Sequence, residues 1–203
     1  AYWYDQSGNN NDWTSEGGLT ESDVMVDSPT NNFCTWNPLD HKDFTFSEGN
    51  LKAVSGGIAQ TFARATMALT GNYYWEVIVT AESSSTPVGM IGIYGSNSPS
   101  TVNVYNQATS YVYFGYNGNK YNNGTATAYG TAYTVGDIIG VTFNSSTGNL
   151  VFYKNNVSQG TAYTVPTSVV YSPLLTDGSG SLTETYVANF GQDSSFAGAK
   201  TSQ

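Results

Sequence analysis

Along most of the chain apolar and polar positions alternate with a period of two, most regularly between Tyr133 and Tyr163. Ile139, Val141 and Phe143 alternate with Ile138, Gly140 and Thr142, the pattern of a strand with one face turned inward. Asn144 to Asn149 then supply turn chemistry, since Gly and Asn adopt positive φ at little cost. Leu150 and Phe152 resume the alternation, and Asn155-Asn156 turns the chain again before Val157. Three consecutive antiparallel strands follow from this pattern. Further strands are predicted at Leu51–Ser55, Ala63–Ala68, Tyr73–Thr80, Val88–Tyr94, Tyr111–Tyr116, Lys120–Asn122, Val169–Leu175 and Glu184–Phe190. So many short strands twist too strongly for one open sheet, so the expected fold is all-β, a two-sheet antiparallel sandwich.

Composition agrees. Sixteen Tyr, 22 Gly and only 10% charged residues in 203 describe a turn-rich β chain long enough to bury a substantial core. Only Phe62–Leu69 and Asp193–Lys200 suit a short helical turn. The net charge of −9 rests on six scattered Lys and Arg, so no basic stripe exists to neutralise phosphates and nucleic acid is excluded as a partner. Cys34 is the single cysteine, which rules out an intrachain disulfide framework. No apolar run is long enough to span a bilayer, so membrane insertion is not expected. Residues 1–43 are Asn-, Asp- and Ser-rich, alternate poorly and carry Trp3, Trp13 and Trp36. They read as a connector lying against a sandwich of residues 44–203, and the abrupt opening AYWYDQSGNN as a cut from a longer polypeptide.

The segments YYWEVIV (73–79), GMIGIY (89–94), YFGYNGNKYNNG (113–124), GDIIGVTFNSSTGNLVFYKNNVSQG (136–160) and VANFGQ (187–192) together resemble the SPRY (B30.2-like) domain. Asn144 stands where that family often has Asp, and Asn156 where Gly often closes the turn. The flanks DQSGNNNDW (5–13), VDSPTNNFCTWNPLD (26–40) and FSEGNLK (46–52) resemble the lead-in to SPRY domains of bacteriophage virion proteins, typically tail or receptor-binding proteins. The resemblance implies a concanavalin-like jelly roll whose loops bind a partner without catalysis. It further implies a virion location, with other virion proteins or a host-surface glycan or protein as partner. An extracellular carbohydrate-binding module and an intracellular SPRY interaction module are the alternatives. Homo-oligomers are common in fibres, but no coiled-coil heptads are present to argue one from.

The candidate chemistry is sparse. His41 stands alone in LDHKD, whereas nucleophilic triads and zinc sites need imidazole with placed partners. The acids lie mainly in turns, and Glu76 sits singly on a strand beside Trp75, without the facing carboxylate that glycoside hydrolysis needs. Asp5, Ser7, Asn9, Asn11 and Glu16 are spaced somewhat like a calcium loop, but their glycine is misplaced and no helices flank them. No catalytic residue, metal site or cofactor is therefore assigned. The aromatic and amide-rich stretch 111–133 is the binding candidate. Tyr111 and Tyr113 share a face and pack inward, leaving Tyr116, Asn117, Asn119, Lys120 and Tyr121 around a Gly turn as the predicted contact surface. Trp75 belongs to the core, and Arg64, the single Arg, has no partner that can be named from sequence. Replacing His41 with Ala is expected to leave biological activity intact, measured on the parent particle or the isolated domain. Turnover of a polysaccharide, peptide or ester that this change abolishes would overturn the non-enzyme reading.

Overall fold

The computed structural model describes residues 9, 32–58, 60–83, 88–100, 103–178, 182–196 and 198–200. These form strands β1 (Trp36–Lys42), β2 (Phe44–Ser47), β3 (Lys52–Ser55), β4 (Phe62–Ala65), β5 (Asn72–Glu82), β6 (Gly89–Gly95) and β7 (Ser110–Phe114). The second half adds β8 (Lys120–Asn122), β9 (Thr125–Thr127), β10 (Ile138–Asn144), β11 (Asn149–Lys154), β12 (Val157–Thr164), β13 (Tyr171–Asp177) and β14 (Glu184–Asn189). Two seven-stranded antiparallel sheets result, ordered β1-β4-β13-β6-β7-β8-β9 and β12-β11-β10-β5-β14-β3-β2. The expected meander is present as β10, β11 and β12 at one edge of the second sheet. Among the described residues the helical content is one three-residue 3-10 turn, Val104–Asn106, and no helix is long and apolar enough to cross a membrane. Of Phe62–Leu69, one of the two segments suited to a helical turn, residues Phe62–Ala65 are strand β4. Pairing with β1 and β13 supplies their backbone bonds on both sides.

The core lies between the sheets. Trp75, Val77, Val79, Ile139, Val141, Phe143 and Phe152 of the second sheet meet Ile91, Ile93, Tyr111, Tyr113 and Leu175 of the first. Each fully buried aliphatic or aromatic side chain contributes roughly 1.5–3 kcal/mol. The first sheet is covered on its other face as well. Met90, Tyr94, Val112 and Leu174 pack there with Val104 of the 3-10 turn, which explains why β6 and β13 are buried along their whole length. Residues 36–42, read from sequence as the end of a connector, form edge strand β1. Trp36 is fully buried, donates from Nε1 to the Leu51 carbonyl at 3.0 Å and meets Phe190 edge-on. Trp3 and Trp13 lie outside the described residues.

Two turns show how local chemistry sets the hairpins. Asn144 Oδ1 accepts from the backbone N–H groups of Ser146 and Thr147, both at 2.9 Å, so the side-chain amide closes the turn. Asn155 and Asn156 both take positive φ, 49° and 65°, in the turn from β11 to β12.

Arg64 finds the partners its sequence position concealed. Its guanidinium donates to the carbonyls of Gly95, Ser96 and Ser98 at 2.8–3.0 Å, sits 3.1 Å from Asp40 Oδ2 and lies over the Tyr94 ring. One buried cation thereby ties β1, β4 and the loop after β6. At another place a carboxylate joins the sheets. Glu184 of β14 reaches across so that its Oε1 accepts from Val88 and Gly89 N–H at the start of β6, while Tyr186 donates to Oε2. Nearby Asp177, 1% exposed, accepts a long 3.4 Å bond from Thr61 N–H.

Burial, reinforced by the Glu184 charge, lifts the Asp177 carboxyl from 3.8 to about 6, against the pull of the Thr61 hydrogen bonds. The folded state therefore holds this proton to a higher pH than the unfolded chain does. Its contribution favours folding below about pH 4 and is lost as pH rises through about 6, a swing of roughly 3 kcal/mol. Asp177→Asn should match the wild type in urea denaturation near pH 4 and exceed it near pH 7. A stability difference independent of pH would contradict the assignment.

Candidate recognition surface

The turn between β7 and β8 is built by Gly118. Its φ of 74° suits glycine, and a Cβ there would lie 2.2 Å from the Gly130 carbonyl oxygen. Gly118 N–H donates to Phe114 O, and Gly130 N–H donates back to Gly118 O at 2.8 Å, so the turn is locked to the segment after β9. Asn117 Oδ1 closes the turn by accepting from Asn119 N–H at 3.0 Å. Gly115 N–H donates to Gly89 O, and its carbonyl accepts from Tyr133 N–H, anchoring the turn's first residue to the sandwich.

On this scaffold Tyr116 is 55% exposed, and its ring leans on Phe114 with centroids 5.9 Å apart. Phe114 meets Tyr121 edge-on at 5.5 Å, and Tyr121 meets Tyr105 edge-on at 6.3 Å. The four rings form a row on the outer face of the first sheet, with Asn117 exposed at its end. Tyr111 and Tyr113 face inward and are buried, as their alternation predicts.

Of the five sequence-predicted residues, Tyr116, Asn117 and Tyr121 come together, and Asn119 is half-buried in the turn that holds them. Lys120 is turned the other way. Its Nζ donates to the Ala162 carbonyl of edge strand β12 at 2.5 Å and lies 4.7 Å from the Tyr163 ring centroid and 5.5 Å from that of Tyr129. Strand alternation is the reason, since Lys120 and Tyr121 project to opposite faces of β8. Phe114 and Tyr105 were missed from sequence. Alternation from Tyr113 would have placed Phe114 on the outer face, but Tyr105 reaches it from a loop and left no periodic signal.

His41 has a structural place. Its Nδ1 accepts from Phe44 N–H at 3.3 Å, and its ring stands edge-on to Phe46. Among the described residues no group of three or more His, Cys, Asp or Glu is arranged to hold a metal ion. Of the calcium-loop positions only Asn9 is described, and the other four lie outside the described residues.

The SPRY domain family matches residues 72–193, and the chain belongs to that family. The SPRY domain is a protein-interaction module type. The fold is similar to the crystal structure of the SPRY domain of human HERC1, at 19% identity over 78% of this chain and 99% of that one, with a TM-score of 0.68. It is also similar to a human SPRY domain, at 15% identity over 75% of this chain and 98% of that one, with a TM-score of 0.58. The TRIM65 PSpry domain aligns at 16% identity over 78% of this chain and 92% of that one, with a TM-score of 0.57. At these identities the likeness is one of architecture.

The structural role of Lys120 is testable. Lys120→Met keeps the stem but leaves Ala162 O without its donor, and should cost about 1–3 kcal/mol in denaturant unfolding while leaving the Tyr116 surface unchanged. An unaltered unfolding midpoint would show that the contact contributes nothing.

Proposed function

We propose that this domain is a non-catalytic recognition module of a bacteriophage virion protein, serving host attachment or assembly of a tail or fibre. The observation that carries the binding role is the exposed Tyr116 and Asn117 pair on a turn locked at both ends. A ring already supported by Phe114 loses little freedom on binding, so contact area is not offset by ordering. The amide beside it supplies donors and acceptors for orientation. The partner is a host-surface glycan or protein, or another virion protein, and the place of action is the particle. Support for the virion setting comes from the flanking segments 5–13, 26–40 and 46–52, which resemble phage lead-in sequence. His41 and the turn-borne acids are left to structural work.

Tyr116→Ala combined with Asn117→Ala removes the exposed ring and amide without touching Tyr121, whose half-buried ring packs on Phe114 and Tyr105. Loss of a buried aromatic anchor costs on the order of 2 kcal/mol, about 30-fold in affinity. Adsorption of the parent particle, or binding of the isolated domain to host envelopes, should fall by that order while the circular dichroism spectrum is unchanged. Unchanged adsorption by a folded variant would move the role from attachment to assembly.

A further inference from the structure

The outer face of the second sheet carries a second constellation. Asn189, Glu76, Gly140 and Tyr153 stand in one cross-strand row over β14, β5, β10 and β11. Gly140 has no side chain, and Tyr74 leans over the space, so close that a Cβ at 140 would lie 2.8 Å from its hydroxyl. Tyr74 donates to Glu76 Oε1 at 2.7 Å and Asn189 donates to Oε2 at 3.2 Å, which fixes the carboxylate. Tyr74 is 51% exposed and meets Tyr153 edge-on at 6.5 Å.

Beside this row lies a cleft of about 560 Å³, walled by the Asn155–Asn156 turn on one side and by Ser194, Phe196 and Lys200 on the other. Phe196, 2% exposed and packed with Ile78 and Val187, pins that second wall to the sheet. Glu76 and Ile138 also line the cleft. Asn156, Ser194 and Lys200 are exposed, so the cleft presents an amide, a hydroxyl and an ammonium around an apolar patch.

We propose that this cleft, with the Tyr74 and Tyr153 rings beside it, binds a neutral oligosaccharide. Its volume falls within the ordinary range of small-ligand sites. A phosphate or carboxylate would meet the Glu76 carboxylate, and a wholly apolar ligand would leave the amide, hydroxyl and ammonium unpaired. An extended peptide finds no free edge, because β10 and β11 are interior strands whose main-chain groups are already paired. A pyranose satisfies both demands. Its C–H face stacks on an exposed Tyr ring, and its hydroxyls donate to Glu76 and bond Asn156 and Ser194. The site is separate from the Tyr116 turn, which lies on the outer face of the other sheet.

The experiment is calorimetric titration with maltohexaose, cellohexaose and fully N-acetylated chitohexaose, of the wild-type chain and of its Tyr153→Ala, Asn156→Gly and Leu39→Ala variants. Gly at 156 removes the amide while keeping the positive φ. At least one oligosaccharide should saturate the wild type with a millimolar or tighter Kd. Tyr153→Ala and Asn156→Gly should each weaken it by about tenfold, and Leu39→Ala, at an exposed position of β1 in the other sheet, should leave it unchanged. No saturation by any of the three up to about 10 mM, or binding indifferent to both cleft variants, would overturn the proposal. An equal loss in Leu39→Ala would also overturn it, since the effect would then not be local to the cleft.

Discussion

A core built from tyrosine must give each buried hydroxyl an acceptor, and the loops of this domain are held by that requirement. An unpaired buried hydroxyl costs a few kcal/mol, so each ring in the sandwich demands a carbonyl at a set place. Tyr133 reaches Gly89 O at 2.9 Å and Tyr113 O at 3.2 Å, Tyr113 reaches Thr131 O, and Tyr94 reaches Pro99 O at 2.9 Å. Tyr129 donates to Gly160 O at 2.5 Å, and Tyr186 to Glu184. Most of these acceptors lie in loops or at strand ends, so one set of contacts fills the core and fastens the connections around it. Burial pushes the hydroxyls of Tyr133 and Tyr186 well above their ordinary range, which keeps them donors.

The open sides of the sandwich are managed by the few cations. β12 is an edge strand, and its outward carbonyls at Gly160 and Ala162 take the Tyr129 hydroxyl and the Lys120 ammonium. That contact blunts an edge that would otherwise offer itself to another strand. Arg64 does the corresponding work near the opposite edge of the first sheet, where it gathers three carbonyls and Asp40. A chain with so little positive charge has placed two of its cations where backbone carbonyls would otherwise lack donors. Lys154 adds a third case, bonding Ala132 O and Asp137.

What remains exposed is correspondingly specific. The outer face of the first sheet is covered by the loop carrying Val104 and Tyr105, and its aromatic row ends in the open Tyr116. Among the described residues the outer face of the second sheet is covered in part, by the segment around Phe196, with Tyr74 and Tyr153 beside a polar cleft. Both surfaces rest on regular strands or on turns bonded at each end, a footing that limits the ordering cost of binding.

Much of this architecture was legible in the chain. Period-two alternation located the β10–β11–β12 meander, the burial of Trp75 and the inward turn of Tyr111 and Tyr113, because one buried face forces that pattern. The family motifs between residues 72 and 193 were equally readable. β1 was hidden because Pro38 and a register irregularity between Trp36 and His41 break its alternation. β9 was hidden because all three of its residues are exposed on an edge and none marks a face. Whether Lys120 joins the recognition turn or caps β12, which carbonyls Arg64 collects, and how Gly140 admits Tyr74 were decided by tertiary structure alone. Each depends on residues at least 31 positions apart or on a neighbouring strand, brought together by sheet order, and local sequence carries no record of that order.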